Sequence, residues 1–262
     1  MKKILFFLLL AVFSLGVSAQ APSKKCPICG LSIPKCQYKG KHPKKNPTTP
    51  AQQQPSKLSK PAAKPRPTTG TLNGYDWVDL GLSVKWATKN VGADRPSDYG
   101  DYFAWGETET KSSYYWSNCF DCLDSTGDSW GTYKIGGQTR IAPSSGHDTA
   151  RENWGGTWRM PTNAEFEELL KKCTWTWTSQ GGHKGYKVTG PNGNSIFLPA
   201  AGRRYGTGTR YVGEEGEYWS SMLNSSNSST ACILNFDSSY PIEYIYSAGY
   251  RSCGRSVRPV TE

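Results

Sequence analysis

The stretch from Gly155 to Cys173, GGTWRMPTNAEFEELLKKC, limits the fold more than any other, because it sets one fully specified helix behind a Gly/Trp turn in a chain that otherwise reads as strand and loop. Thr162 and Glu165 have capping-box spacing: the Thr hydroxyl accepts from the N–H of residue 165, and the Glu carboxylate accepts from the N–H of residue 162. Phe166, Leu169, Leu170 and Cys173 follow at i, i+3, i+4 and i+7, and Lys171 and Lys172 stand near the negative end of the helix dipole. The spacing predicts a helix over 162–172 with one face in a core and the other in water.

The chain ahead of this domain has a different character. Lys2 and Lys3, an apolar run from Ile4 to Leu15 and the small residues Val17, Ser18 and Ala19 read as a secretory signal over 1–19, so the protein is expected to be exported to the periplasm, outer surface or medium. That run is too short to span a bilayer, which needs about 20 apolar residues, and no later run is longer, so no transmembrane segment is expected. The net charge of +10 is unevenly placed: residues 1–70 hold 13 Lys/Arg and no acid, leaving 18 basic residues against 21 acidic ones beyond, a balance of −3. Residues 46–70 are rich in Pro, Lys, Thr and Gln and poor in apolar side chains, the composition of a semi-extended basic linker. After the signal this arm has one aromatic, Tyr38, so nucleic acid is not an expected partner, whereas anionic cell-envelope polymers are one.

Residues 20–45 carry Cys26-x2-Cys29-x6-Cys36-x5-His42, four soft ligands in wrapping distance of one ion. A structural zinc knuckle is one reading of that set; disulfide pairing in an oxidising compartment and unpaired thiols are the others. Cys119 and Cys122 form a second Cys-x-x-Cys pair in a loop-like setting, which favours a disulfide staple over a redox motif. Cys232 alternates with Leu234 and Phe236 as an inward residue, buried or bonded to Cys173 or Cys253.

Residues 71–262 are long enough for one domain with a sizeable core. Strands are predicted at Trp77–Leu80, Val84–Ala87, Trp175–Thr178, Tyr186–Val188 and Ser195–Leu198, the last two flanking the turn Gly190-Pro191-Asn192-Gly193. From Glu217 the pattern is EYWSSM, a polar loop, TACILNF, a turn, IEYIY, a loop and GRSVRPV. Together with one helix this is an α+β, loop-rich domain whose tryptophans and tyrosines fill the core.

WRMPTNAEFEELL resembles a helix of formylglycine-generating-enzyme-like domains, and VDLGLSVKWATKNVGA, GDYFAWGET, LPAAGRRY, EYWSS and GRSVRPV resemble, in that order, the Fibrobacter succinogenes major paralogous domain family of secreted Bacteroidetes proteins. The resemblance covers roughly residues 72–260 and implies a C-type-lectin-like fold. Formylglycine-generating enzymes use a closely spaced cysteine pair on a late strand to bind copper; Cys232 and Cys253 stand 21 positions apart, so that activity is not expected and the chain is read as a non-enzyme. His147 and His183 have no neighbouring nucleophile motif, and Glu165, Glu167 and Glu168 are explained by capping and a solvated helix face. Calcium-dependent sugar binding would need Glu-Pro-Asn-like and Trp-Asn-Asp-like motifs, which the chain lacks.

Recognition would then rest on tyrosines and arginines. The candidates are Tyr205, Tyr211, Tyr240, Tyr244, Tyr246 and Tyr250, with Arg203, Arg204, Arg210 and Arg251 as polar partners; the expected ligand-binding set is Tyr240, Tyr244, Tyr246, Tyr250 and Arg251, on a C-terminal face built from 222–230 and 238–253. Residues 223–253 contain no Lys, Gln, Met or Trp and a single Glu, Glu243, a composition that retroelement-driven diversification of adenines would leave and that an ordinary Ser/Tyr-rich strand-loop segment also has. The sequence therefore points to a secreted or surface-displayed binding domain for a protein or glycan. A structural envelope component held by the basic arm is the first alternative, and a divergent formylglycine-generating-enzyme-like enzyme the second.

Overall fold

A computed structural model describes residues 68–119, 139–239 and 247–262. The chain divides into two units, Met1–Ala62 and Ala63–Glu262, and the described residues all belong to the second.

Among the described residues, four antiparallel sheets and two α-helices make up the fold. The first sheet joins β1 (Thr69–Leu72), β2 (Tyr75–Val78), β3 (Lys85–Ala87) and, from the far end of the chain, β12 (Val260–Thr261). A 3-10 turn at Trp116–Asn118, α1 (Thr149–Trp154) and α2 (Asn163–Lys172) come next. The second sheet is the meander β4 (Thr174–Gln180), β5 (His183–Thr189) and β6 (Ser195–Pro199). A two-stranded hairpin, β7 (Arg203–Tyr205) and β8 (Gly208–Arg210), precedes the third sheet, in which β10 (Thr230–Asp237) lies between β9 (Glu215–Leu223) and β11 (Ser247–Tyr250). The fold is thus mainly antiparallel strand with few helices, rich in loops. No helix among the described residues is long and apolar enough to cross a membrane.

Local sequence accounts for most of these elements. The β1–β2 hairpin turns at Asn73 and Gly74, whose φ values of 50° and 84° give the two left-handed residues of a tight turn with the strands' own twist. The capping box of α2 is complete: Thr162 Oγ1 accepts from Glu165 N, and Thr162 N donates to Glu165 Oε2 at 2.8 Å. Phe166 and Leu169 are fully buried, each stabilising the fold by about 1.5–3 kcal/mol, while Leu170 and Cys173 are half-buried. Lys171 and Lys172 pair with Glu167 and Glu168 one turn back, so the Glu run is a solvated helix face. The strands predicted in the second sheet form and run longer than expected, whereas Trp77–Leu80 is displaced to Tyr75–Val78, Val84–Ala87 is shortened to Lys85–Ala87, and of GRSVRPV only Val260 lies in a named strand; the Gly190–Gly193 turn joins β5 to β6. Several elements among the described residues were not predicted: β1, which begins inside the stretch read as linker; the hairpin of β7 and β8; β11, in a stretch read as a loop; and α1, only 6 residues long and too short for an apolar stripe. IEYIY lies outside the described residues.

The core is aromatic. Leu80, Trp86, Phe166, Tyr186, Tyr218 and Phe236 pack between α2 and the sheets. Trp105, Trp154, Trp158 and Trp219 form a second cluster, in which three indoles donate to carbonyls: Trp105 to Ser220, Trp158 to Leu72 and Trp219 to Phe103.

Between the clusters runs the C-terminal segment, buried from Arg251 to Thr261. Only Val260 and Thr261 form a strand, yet the backbone is paired nearly throughout: Arg255 exchanges hydrogen bonds with Phe103, Gly254 with Arg204 and Val260 with Arg159, and the carbonyls of Ser256, Val257 and Pro259 accept from Trp219, Val91 and Ala87. Arg258 is fully buried, and no carboxylate among the described residues pairs with it. Its guanidinium donates instead to Asn90 Oδ1 at 2.8 Å, Ala87 O at 3.0 Å and Phe197 O at 2.9 Å. Burial pulls its pKa down to about 10.

Asp148, the N-cap of α1, is a second buried charge. Its carboxylate accepts from Arg151 N and Met160 N at 3.0 Å, but burial outweighs these bonds and pushes its pKa up to about 6. Between the unfolded pKa near 3.8 and the folded value the native state keeps a proton that the unfolded chain has lost. The stability contributed by this group is therefore complete below about pH 4 and is lost as pH rises through about 6. Glu165 works the other way: burial raises its pKa, but the Arg159 guanidinium and the Thr162 N–H together bring it below the usual range. Comparing wild type with Asp148→Asn separates the two. We predict that the wild type loses stability relative to that variant by on the order of 3 kcal/mol between pH 4 and pH 7, measured by urea unfolding; a pH-independent difference would contradict the assignment.

Candidate functional site

The hairpin of β7 and β8 leans over the third sheet and encloses a concavity of about 430 Å³. Its floor comes from β9 and β10. Glu217 and Asn235 are register partners on one side of the sheet, while their neighbours Tyr218 and Leu234 point into the core on the other, as the two-residue strand period requires. Tyr205, Arg210 and Tyr211 wall one side, Ala248 and Tyr250 of β11 another, and Cys253 and Arg255 the end.

Electrostatics order the floor. Glu217 is buried and takes two arginines: Arg255 Nε donates to its Oε2 at 2.6 Å and Arg203 Nη1 donates to its Oε1. Arg255 is itself only 4% exposed and is held from every side. Its Nη1 donates to Tyr250 O at 3.1 Å, its guanidinium lies 4.4 Å from the centre of the Trp219 ring, and Gly249 closes the other face. A Cβ on Gly249 would come within 2.5 Å of Arg255 Cζ, so that position has room for glycine alone. The guanidinium also interacts with the neighbouring Cys253 thiol, and Arg255 lines the concavity. The Cys253 thiol beside it is buried, which raises its pKa and keeps it protonated.

The rim is aromatic and wet. Tyr205, Tyr211 and Tyr250 are 53%, 44% and 49% exposed. Tyr115 meets Tyr205 edge-on at 6.3 Å, and Trp116 meets Tyr250 edge-on at 6.1 Å. Arg203 stacks 4.8 Å from the centre of the Tyr211 ring. The exposed large hydrophobic side chains among the described residues are these three tyrosines, Tyr115 and Val212, all in the concavity or next to it. Contiguous apolar exposure of this kind marks interaction surfaces.

Of the residues expected from sequence, Tyr205, Tyr211, Tyr250, Arg203 and Arg210 come together here. Arg251 does not: its side chain is fully buried, 5.8 Å from the Trp105 ring centre, and is not presented to solvent. Arg204 packs over Tyr114 and donates to the carbonyls of Ser112 and Thr207. Tyr240, Tyr244 and Tyr246 lie outside the described residues, as do Cys26, Cys29, Cys36 and His42. No group of three or more His, Cys, Asp or Glu side chains suited to a metal ion occurs among the described residues. Cys119 is disulfide-bonded, and since Cys173, Cys232 and Cys253 are free, none of these is its partner. Each histidine ring among the described residues contacts a carbonyl, His147 that of Gly106 and His183 that of Ser97.

No family model, curated protein or solved structure matches the chain. The concavity therefore has to be read from its own chemistry. Sequence reasoning missed Glu217, Asn235 and Arg255. The signal for Glu217 was an acidic residue opening an otherwise apolar strand, EYWSS, and for Arg255 a positive charge within a C-terminal segment dense in Ser, Val and Pro.

Tyr211 carries a further sign of function. Its φ is +57°, a left-handed backbone that suits Gly or Asn and is unusual for a bulky residue. Its carbonyl accepts from Glu214 N and Glu215 N, closing the turn from β8 into β9, and Gly202 fits against Arg210 O where any Cβ would lie at 2.0 Å. A tyrosine held there costs about 1–2 kcal/mol. We predict that Tyr211→Asn keeps or raises stability by up to about 1 kcal/mol in urea unfolding while removing the ring from the rim; a loss above about 1 kcal/mol would mean that stacking with Arg203 outweighs the backbone strain.

Proposed function

We propose that this chain is an exported binding protein whose C-type-lectin-like domain recognises a protein or glycan through the concavity between the β7–β8 hairpin and the β9–β10–β11 sheet. The observation that carries the reading is the gathering of the exposed large hydrophobic side chains onto this one arginine-containing face. Tyr and Arg suit recognition because each offers a large contact area ending in versatile polar groups. The C-type-lectin-like class is supported by the ordered motifs from Val78 to Val260 and by the capped α2, and export by the N-terminal pattern.

Binding is favoured over catalysis on physical grounds. The floor carboxylate, Glu217, is committed to two arginines, and the Cys253 thiol is buried with a raised pKa, so neither serves as base or nucleophile. A second reading, a structural envelope component, draws on the 13 basic and no acidic residues of 1–70 and assigns attachment to the arm. It is compatible with the first if the arm anchors and the domain recognises. Within the arm, Cys26, Cys29, Cys36 and His42 are the proposed ligands of a structural zinc.

An array of glycans and cell-surface proteins probed with the full chain beside a Tyr205→Ala/Tyr250→Ala double variant tests the reading. Both side chains are about half exposed, so the variant is expected to fold, and its folding is checked by thermal melting. Binding by the wild type that the folded variant loses is the expected result. Equal binding by both, or none by the wild type, would overturn it.

A further inference from the structure

The charges lining the concavity are unbalanced. Arg203, Arg210 and Arg255 face it, against Glu217 alone. Glu215 lies just outside, 3.9 Å from Arg203, and even with it included the balance stays positive. The three arginines also differ in availability. Arg203 is occupied by Glu217 and by stacking on Tyr211. Arg210 is exposed at the rim and forms no ion pair among the described residues. Arg255 is nine-tenths buried with two of its nitrogens engaged, so that its guanidinium is pre-oriented, with little side-chain entropy left to lose on binding. A fixed guanidinium donor in a partly desolvated recess, with a second unpaired cation lining the same concavity, is an arrangement for an anionic oxygen.

The rest of the concavity argues for what carries that anion. A volume of about 430 Å³ falls in the range of small-molecule sites and suits one or two rings better than the flat, extended contact of a protein partner. Tyr205, Tyr211 and Tyr250 stand around it as separate ring faces, which match the apolar faces of pyranose rings. From this combination we infer that the concavity takes an acidic saccharide, with a sugar ring against the rim tyrosines and its carboxylate held between Arg210 and Arg255. The inference rests on the reading of this concavity as the recognition site and goes further in naming the class of ligand.

The test uses the full chain and a panel of glucuronic-, galacturonic- and sialic-acid-terminated oligosaccharides, each beside its methyl ester, titrated by calorimetry. At least one free acid is expected to bind, with affinity falling by about tenfold or more on esterification and by a similar factor in Arg210→Ala, and weakening as salt is raised. Arg210 is exposed on a short hairpin strand, so this variant removes a charge without opening the core. Arg255→Lys supplies the second variant: it keeps the charge but loses the fork, and is expected to weaken the acid more than the ester. Esters binding as tightly as acids, no acid binding at all, or acidic peptides binding where acidic sugars do not would each overturn the inference. Neutral sugars that bind and are lost in Tyr205→Ala/Tyr250→Ala would overturn the acidic class while leaving the recognition site in place; binding indifferent to those tyrosines would remove both.

Discussion

A guanidinium buried without a carboxylate holds this domain together. Arg258 ties three parts of the chain far apart in sequence: the end of β3 through Ala87, the following loop through Asn90, and β6 through Phe197. Taking such a charge out of water costs several kcal/mol, which the fold offsets by supplying three oriented acceptors in a low-dielectric setting where each counts for more. The lowered pKa of Arg258 expresses that cost. Since the acceptors are backbone carbonyls and an amide, the arrangement depends on the correct packing of three elements at once.

The same constraint builds the recognition face. Arg258 fixes the segment from Arg251 to Thr261 in the middle of the domain, and Arg255, three residues earlier, is thereby held at the end of the concavity, where it meets Glu217. Glu217 in turn orients Arg203 on β7, and Arg203 stacks on Tyr211 at the rim. One continuous chain of contacts therefore runs from the core pin to the wet edge of the concavity. The glycines along it, Gly249 against Arg255 and Gly202 against the Arg210 carbonyl, stand where a side chain would force these groups apart.

Much of the scaffold was legible in the sequence, because its signals are local. The capping box at Thr162 and Glu165 and the turn at Gly190–Gly193 need only neighbouring residues to act, and each appears as expected. TACILNF forms β10 with Cys232, Leu234 and Phe236 buried, but Ala231 and Ile233 are buried too, because packing covers both faces of the strand. The recognition face was legible in residue type but not in arrangement. Of the expected binding set only Tyr250 lines the concavity among the described residues, joined by Tyr205, Tyr211, Arg203 and Arg210 from the wider candidates, and whether an arginine is buried or exposed is settled by tertiary packing. Arg251 and Arg255, four positions apart, show the point. The first is buried against Trp105 and the second lines the concavity, and no periodicity separates them because the segment is neither helix nor regular strand. The tyrosines of IEYIY fall outside the described residues; among the described ones the face draws on the β7–β8 hairpin, β9 and β10 as well as on Ala248, Tyr250, Cys253 and Arg255 from the C-terminal stretch.

The most direct test of the central claim is the unfolding free energy of Arg258→Met in urea. Methionine fills most of the volume and removes the charge, so the substitution separates the value of the hydrogen bonds from that of packing. If the guanidinium is what joins β3, the Asn90 loop and β6, three buried acceptors are left unpaired and stability falls by about 3–5 kcal/mol, or the chain fails to fold. A variant as stable as the wild type, or more so, would contradict the account and reduce Arg258 to a costly charge that the fold merely tolerates.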